Sequence, residues 1–215
     1  MYYKKKYKRG RMEKQPKRSF WMKQHRFFLH HPFQSAKMLT NGGENMYNVN
    51  DLVVYESSGV CRIEDIRDIS FSGDAPKTCY VLKPLFSNDG TIYTPVGNNK
   101  VTLRPVITKE EADEIIRQIP ETEVHSFDGL RTIELENRYR EASASHRLQD
   151  MIPLVMAIYR KTRALRRSGK KVSEVDSRYL KKLNDLINGE LSVALGIGKD
   201  EVPEYIAQAV KKEKE

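Results

Sequence analysis

At Thr108 the chain changes its repeat. Up to Val106 it runs in short β-favouring stretches punctuated by turn residues, and from Thr108-Lys109-Glu110-Glu111 onward apolar residues recur at helical spacing. The four residues at the junction form a capping box: the Thr108 hydroxyl can accept from a free backbone N–H, and Glu111 can reach back. Strands first and helices after define an α+β chain, with a β half at 46–107, a helical half at 108–200 and a C-terminal helix or tail at 201–215.

In the β half, Leu52-Val53-Val54-Tyr55 makes a first strand and Glu56-Ser57-Ser58-Gly59 turns it. Val60-Cys61-Arg62-Ile63 returns, with Ile66 and Ile69 continuing its apolar side. Phe71 to Pro76 is a turn cluster, and Cys79-Tyr80-Val81-Leu82 a third strand. Asn88-Asp89-Gly90 carries the Asp-Gly signal of a tight hairpin into a fourth strand, Thr91-Ile92-Tyr93-Thr94, and 101–104 is a fifth piece before Pro105. Four or five such strands predict a small barrel or strongly bent sheet. In the helical half, the spacing predicts helices from 108 to about 118, then at about 132–146, 150–168 and 174–195, and a last one after Pro203. Ile152, Val155, Met156 and Tyr159 fall on one face, and Leu180, Leu183, Ile187, Leu191 and Ala194 on another, so the helices should form a compact bundle.

The net charge of +9 suggests a nucleic-acid partner until its distribution is examined. Residues 1–45 hold 12 Lys and Arg against Glu13 and Glu44, leaving 26 basic and 27 acidic residues in 46–215, a net of −1. The tail reads as disordered. Gly42-Gly43-Glu44 back-translates to a purine-rich ribosome-binding sequence just before Met46, which is therefore expected to be the true start. The competing reading is a translated basic arm that grips phosphates, as an RNA-binding protein would use.

Inside the neutral body one segment stands out. Tyr159 to Lys171 holds Arg160, Lys161, Arg163, Arg166, Arg167, Lys170 and Lys171 with no acid. Arg160, Arg163 and Arg167 should line a stripe suited to phosphate contacts; the alternative is a solvated helix C-terminus, where cations are favoured anyway. Arg138 and Arg140 could extend the patch.

Local signals assemble no nucleophile–base set, metal cluster or phosphate-cradling loop, so neither an enzyme nor a cofactor is expected. His25, His30 and His31 lie in the tail, and His125 and His146 are expected to be solvated. Cys61 and Cys79 read as core residues. Glu110, Glu111, Asp113 and Glu114 sit in the first turns of a helix, where its dipole favours them. No apolar run is long enough to span a membrane, and a cytoplasmic chain is expected.

The run Val49-Asn50-Asp51-Leu52-Val53-Val54-Tyr55, with Gly59 beyond it, resembles the opening of the RNA-polymerase-interacting domain shared by CarD/CdnL bacterial regulators and transcription-repair coupling factors. The resemblance continues through Tyr80-Val81-Leu82-Lys83, Ile92-Tyr93-Thr94-Pro95-Val96, Asn137-Arg138-Tyr139, the capped Ser173 helix and Gly189-Glu190-Leu191, roughly 46–196. It implies a Tudor-like or SH3-like β-barrel binding the β subunit of RNA polymerase around Arg67, Ile69, Ile92, Tyr93 and Thr94. Ile69 and Tyr93 stand where relatives place basic residues. It also implies a helical half on promoter DNA at the upstream edge of the bubble, with a minor-groove wedge at the position of Leu135; the phosphate contacts of that half are those expected from the charge clustering at Arg138, Arg140, Arg160, Arg163, Arg166, Arg167, Lys170 and Lys171. Leu135 falls where some relatives carry a tryptophan wedge, and a wedge and a core residue are both open for it. The implied function is stabilisation of the open promoter complex by a chain monomeric when free of polymerase, with ribosomal RNA and housekeeping promoters as targets; the alternative is a polymerase- or protein-binding module without DNA contact.

Overall fold

Among the described residues of the computed structural model, five strands and five α-helices follow one another: β1 (Leu52–Tyr55), β2 (Gly59–Ile69), β3 (Lys77–Pro84), β4 (Ile92–Pro95) and β5 (Leu103–Pro105), then α1 (Lys109–Gln118), α2 (Thr132–Ala142), α3 (Leu148–Arg167), α4 (Glu174–Leu195) and α5 (Val202–Lys212). The structure describes residues 47–212, apart from 71–74, 88–89, 99, 125 and 128. The basic tail, the proposed start at Met46, most of the Phe71–Pro76 cluster, the Asn88-Asp89 turn and His125 therefore lie outside the described residues.

The sheet is antiparallel throughout in the order β4-β3-β2-β1-β5. It is open. The expected barrel is not seen, because no pairing joins β4 to β5 among the described residues. β5 is three residues long and ends in Pro105, which has no N–H to offer a further strand. β2 runs to Ile69, beyond the four-residue core read from the sequence, and its register with β3 shifts between Ile63 and Asp65, a bulge that increases local twist.

The consecutive valines of β1 face opposite ways into two cores. Val53 packs with Cys61, Ile63, Tyr80 and Leu82. Val54 packs with Val60 and Val106 and, across the second face, with Phe86, Val193 and Ala194. A strand covered on both faces needs apolar residues without alternation, which is why the run 52–55 is continuous.

The Thr108 capping box forms as expected: the Thr108 hydroxyl accepts from the Glu111 N–H at 3.2 Å, and Glu111 accepts from the Thr108 N–H at 2.8 Å. α2 ends four residues earlier than its spacing suggested, at Ala142, and a Ser143 hydroxyl bond to the Tyr139 carbonyl at 2.8 Å competes with helix propagation there. The helical core gathers Ile116, Leu135, Tyr139, Leu148, Met151, Ile158, Leu183, Ile187 and Leu191. On α3 the buried stripe is Leu148, Met151, Ile152, Leu154 and Ile158, so Tyr159 is turned out to solvent rather than into the core.

α4 serves both halves. Leu183, Ile187 and Leu191 face the helices, while Leu186, Gly189, Glu190 and Val193 meet the sheet. Gly59 approaches Leu186 so closely that an added Cβ would stand 3.1 Å from its methyl carbon, and its φ of +73° is itself a glycine conformation.

Candidate functional site

Two surfaces carry the residues singled out above. The first is the β4 side of the sheet. Pairing places Asp65, Val81 and Tyr93 in one row and Ile66, Tyr80 and Thr94 in the next, and successive rows face opposite sides. Tyr93 is 43% exposed, and the Arg67 guanidinium lies 5.9 Å from its ring centroid, a cation–π contact. Arg67 also sits 3.7 Å from the Asp65 carboxylate. Ile69, two residues on in β2, is half-buried on the same face as Arg67. Thr94 and Ile92 point the other way: Thr94 is buried, its hydroxyl without a partner among the described residues, and Ile92 packs on the Val53 core. These two can offer a partner backbone more readily than side chain. β4 pairs only with β3, so its outer edge presents unpaired backbone groups among the described residues.

The second surface is the C-terminal half of α3 and the loop after it. Arg160, Arg163, Arg166, Arg167, Lys170 and Lys171 are all exposed, and none forms an ion pair with another described residue. Lys161 is different. Its ammonium lies 3.1 Å from the carboxylate of Asp176, which is fully buried and also accepts from the Tyr139 hydroxyl at 2.8 Å. Lys161 therefore belongs to the architecture, and the cluster of seven cations presents six.

On α2, Leu135 is 3% exposed inside the helical core, which removes it from any surface contact. Of the two readings left open for it, the structure places it in the core, because its face of α2 packs against α3 and α4. Arg138 is exposed and 3.8 Å from Glu141, and Arg140 donates to the Asn137 side chain. These two remain accessible, at some distance along the chain from the α3 cluster.

Sequence reasoning missed the joint between sheet and helices. Arg104 of β5 donates to both oxygens of Glu190 on α4, at 2.5 and 2.8 Å, and to the backbone carbonyl of His146 at 2.7 Å. Eighty-six residues separate the pair, and no local pattern reveals it. His146 is half-buried with a φ of +51°, and its Nδ1 has no partner among the described residues. Burial, helped by the cations of Lys182 and Arg104 and opposed by Glu56, lowers its pKa below the ordinary value. The expected solvated histidine is thus a joint residue.

Neither cysteine is a candidate nucleophile. Burial pushes the Cys61 thiol up to about 12 and raises that of Cys79, so both remain protonated at neutral pH. No group of potential metal ligands occurs among the described residues, and no helix of the described residues is long and apolar enough to cross a membrane.

No curated protein matches the chain. Residues 47–107, the whole sheet and the approach to the Thr108 cap, match the family model described as the CarD-like/TRCF RID domain, which supports a domain of that kind over this part of the chain.

Proposed function

We propose that the protein is a non-enzymatic transcription regulator that docks on the β subunit of RNA polymerase through the β4 side of its sheet and contacts promoter DNA through α3. The observation that carries this reading is the coincidence of the matched stretch, residues 47–107, with an open strand edge flanked by Arg67, Ile69 and Tyr93. An exposed edge can gain a strand from a partner, the backbone supplying affinity and alternate side chains specificity. Exposed Tyr and Arg side chains are the residue types that most often anchor protein interfaces.

The DNA contact rests on six cations without an ion-pair partner among the described residues, with Arg138 and Arg140 beside Glu141 and Asn137 as secondary members. A factor that holds the melted promoter better than the closed one shifts the equilibrium by its differential affinity, and about 2–3 kcal/mol gives roughly a 30–150-fold shift. Tethering through polymerase raises the local concentration, so the contact can be weak alone. The protein would act in the cytoplasm, without a cofactor.

The test is co-purification of the β subunit with the full chain, compared with the Arg67→Ala/Tyr93→Ala variant. Recovery of β should fall at least tenfold in the variant, with nuclease making no difference. Separately, the Arg163→Glu/Arg166→Glu/Arg167→Glu variant should keep β and lose its effect on open-complex lifetime. Equal recovery of β by both proteins refutes the docking assignment, and an unaltered lifetime refutes the DNA contact.

A further inference from the structure

Tyr159 is the feature of the basic surface that duplex phosphates alone leave without a purpose. It is 53% exposed on α3 although its spacing with Ile152, Val155 and Met156 marks it as a core residue, and no hydrogen bond or ring contact holds its side chain among the described residues. At about 100° per residue, Arg163 and Arg166 flank Tyr159 within roughly 40° on either side, and Arg167 and Arg160 complete an arc of about 120°. Along the axis Arg163 lies about 6 Å beyond Tyr159, and Arg167 about 6 Å beyond Arg163, at 1.5 Å per residue. Those steps match neighbouring phosphates along one strand. The loop beyond adds Lys170 and Lys171, also exposed.

From this geometry we infer that the Tyr159–Arg163–Arg166 face of α3 binds single-stranded DNA, one unpaired base stacking on the Tyr159 ring while the arginines hold the adjoining phosphates. The inference rests on the DNA-contact part of the proposed function and narrows it, from duplex at a promoter to the unpaired strand. An aromatic platform among cations is the combination that binds single strands with little sequence preference, since every base has a face to stack and every nucleotide a phosphate. In a duplex the base faces are occupied by stacking and the ring has nothing to receive. Lys161 takes no part, being committed to Asp176.

The experiment is fluorescence anisotropy of the full chain with a labelled oligothymidylate, a duplex of equal length and an oligouridylate, over a salt series. Because all variants keep the same tail, with its 12 Lys and Arg, differences between them report on α3. Tyr159→Ala should weaken oligothymidylate about five- to tenfold, as expected for losing one stacked base, while Tyr159→Phe, which keeps the ring, stays within about twofold of the parent. Arg163→Gln and Arg166→Gln should each lower the slope of log affinity against log salt by about 0.7, and Tyr159→Ala should leave the slope unchanged. Photocrosslinking of an iodouracil-containing oligomer should map to Tyr159.

Duplex binding at least as tight as oligothymidylate, with Tyr159→Ala indifferent, overturns the single-strand assignment and leaves the proposed function standing. Oligouridylate binding tenfold tighter than oligothymidylate overturns DNA as the source of the strand. Loss of all nucleic-acid binding removes the DNA contact altogether, while recovery of the β subunit still reports on docking.

Discussion

Replacing Arg104 by Met leaves Glu190 as a carboxylate 3% exposed with no cation beside it. Breaking a buried pair from one side costs about 3–5 kcal/mol, because the remaining charge keeps its desolvation penalty and loses its compensation. The His146 carbonyl also loses its donor, for about 1 kcal/mol. A total near 5 kcal/mol corresponds to a fall in Tm of about 10–20 °C for a chain of this size. The double variant Arg104→Met/Glu190→Leu removes the orphaned charge, so it should recover all but about 1 kcal/mol of the loss, the part belonging to the His146 carbonyl. Urea unfolding of the full chain followed by circular dichroism measures both, with the cross-term read from a double-mutant cycle. A single variant costing under about 1 kcal/mol, or a double variant no more stable than the single, would refute the view that this pair is buried, coupled and holds the sheet to α4.

Lys161→Met should destabilise by about 3 kcal/mol in the same unfolding assay, since among the described residues Asp176 is left buried with only the Tyr139 hydroxyl, yet change oligonucleotide affinity by less than twofold. Gly59→Ala should cost about 1–3 kcal/mol, because the new Cβ meets Leu186 at 3.1 Å on a backbone with φ of +73°, and a lowered urea midpoint at unchanged slope would register it. Half-burial lowers the pKa of His146 from its ordinary value of 6.5, so the neutral ring's contribution is fully present above that value and is lost as pH falls through the folded-state pKa. Unfolding free energy measured from pH 7.5 downward should therefore drop through the acid side of 6.5, and His146→Gln should flatten that part of the curve. Native thiol labelling should leave Cys61 and Cys79 unmodified until urea exposes them, and rapid labelling in buffer would contradict their burial.

What could be read from the sequence was chemistry acting over a few residues. The Thr108 box, the Ser173 cap that accepts from the Asp176 N–H at 3.0 Å, and the end of α4 at Gly196 all depend on neighbours within one turn. Strand positions followed from the same local signals, although β2 outran its apolar core because pairing with β3 continues through polar rows such as Asp68 and Thr78. What local signals left open or misplaced shares a cause in distant packing. Leu135 and Tyr159 both sit at helical spacing with apolar neighbours, and only the arrangement of α2, α3 and α4 decides that one is enclosed and the other is not. Barrel closure depends likewise on whether β5 finds β4, which three residues ending in proline cannot reveal by themselves. At the basic segment, composition named the cations but could not tell Lys161, held by a carboxylate fifteen residues away, from its free neighbours.

A single helix, α4, is shared by the sheet core and the helical core. Leu186, Gly189 and Val193 bear on the sheet while Leu183, Ile187 and Leu191 bear on the helices, so a change of side-chain volume anywhere along this helix is felt by two packed layers at once.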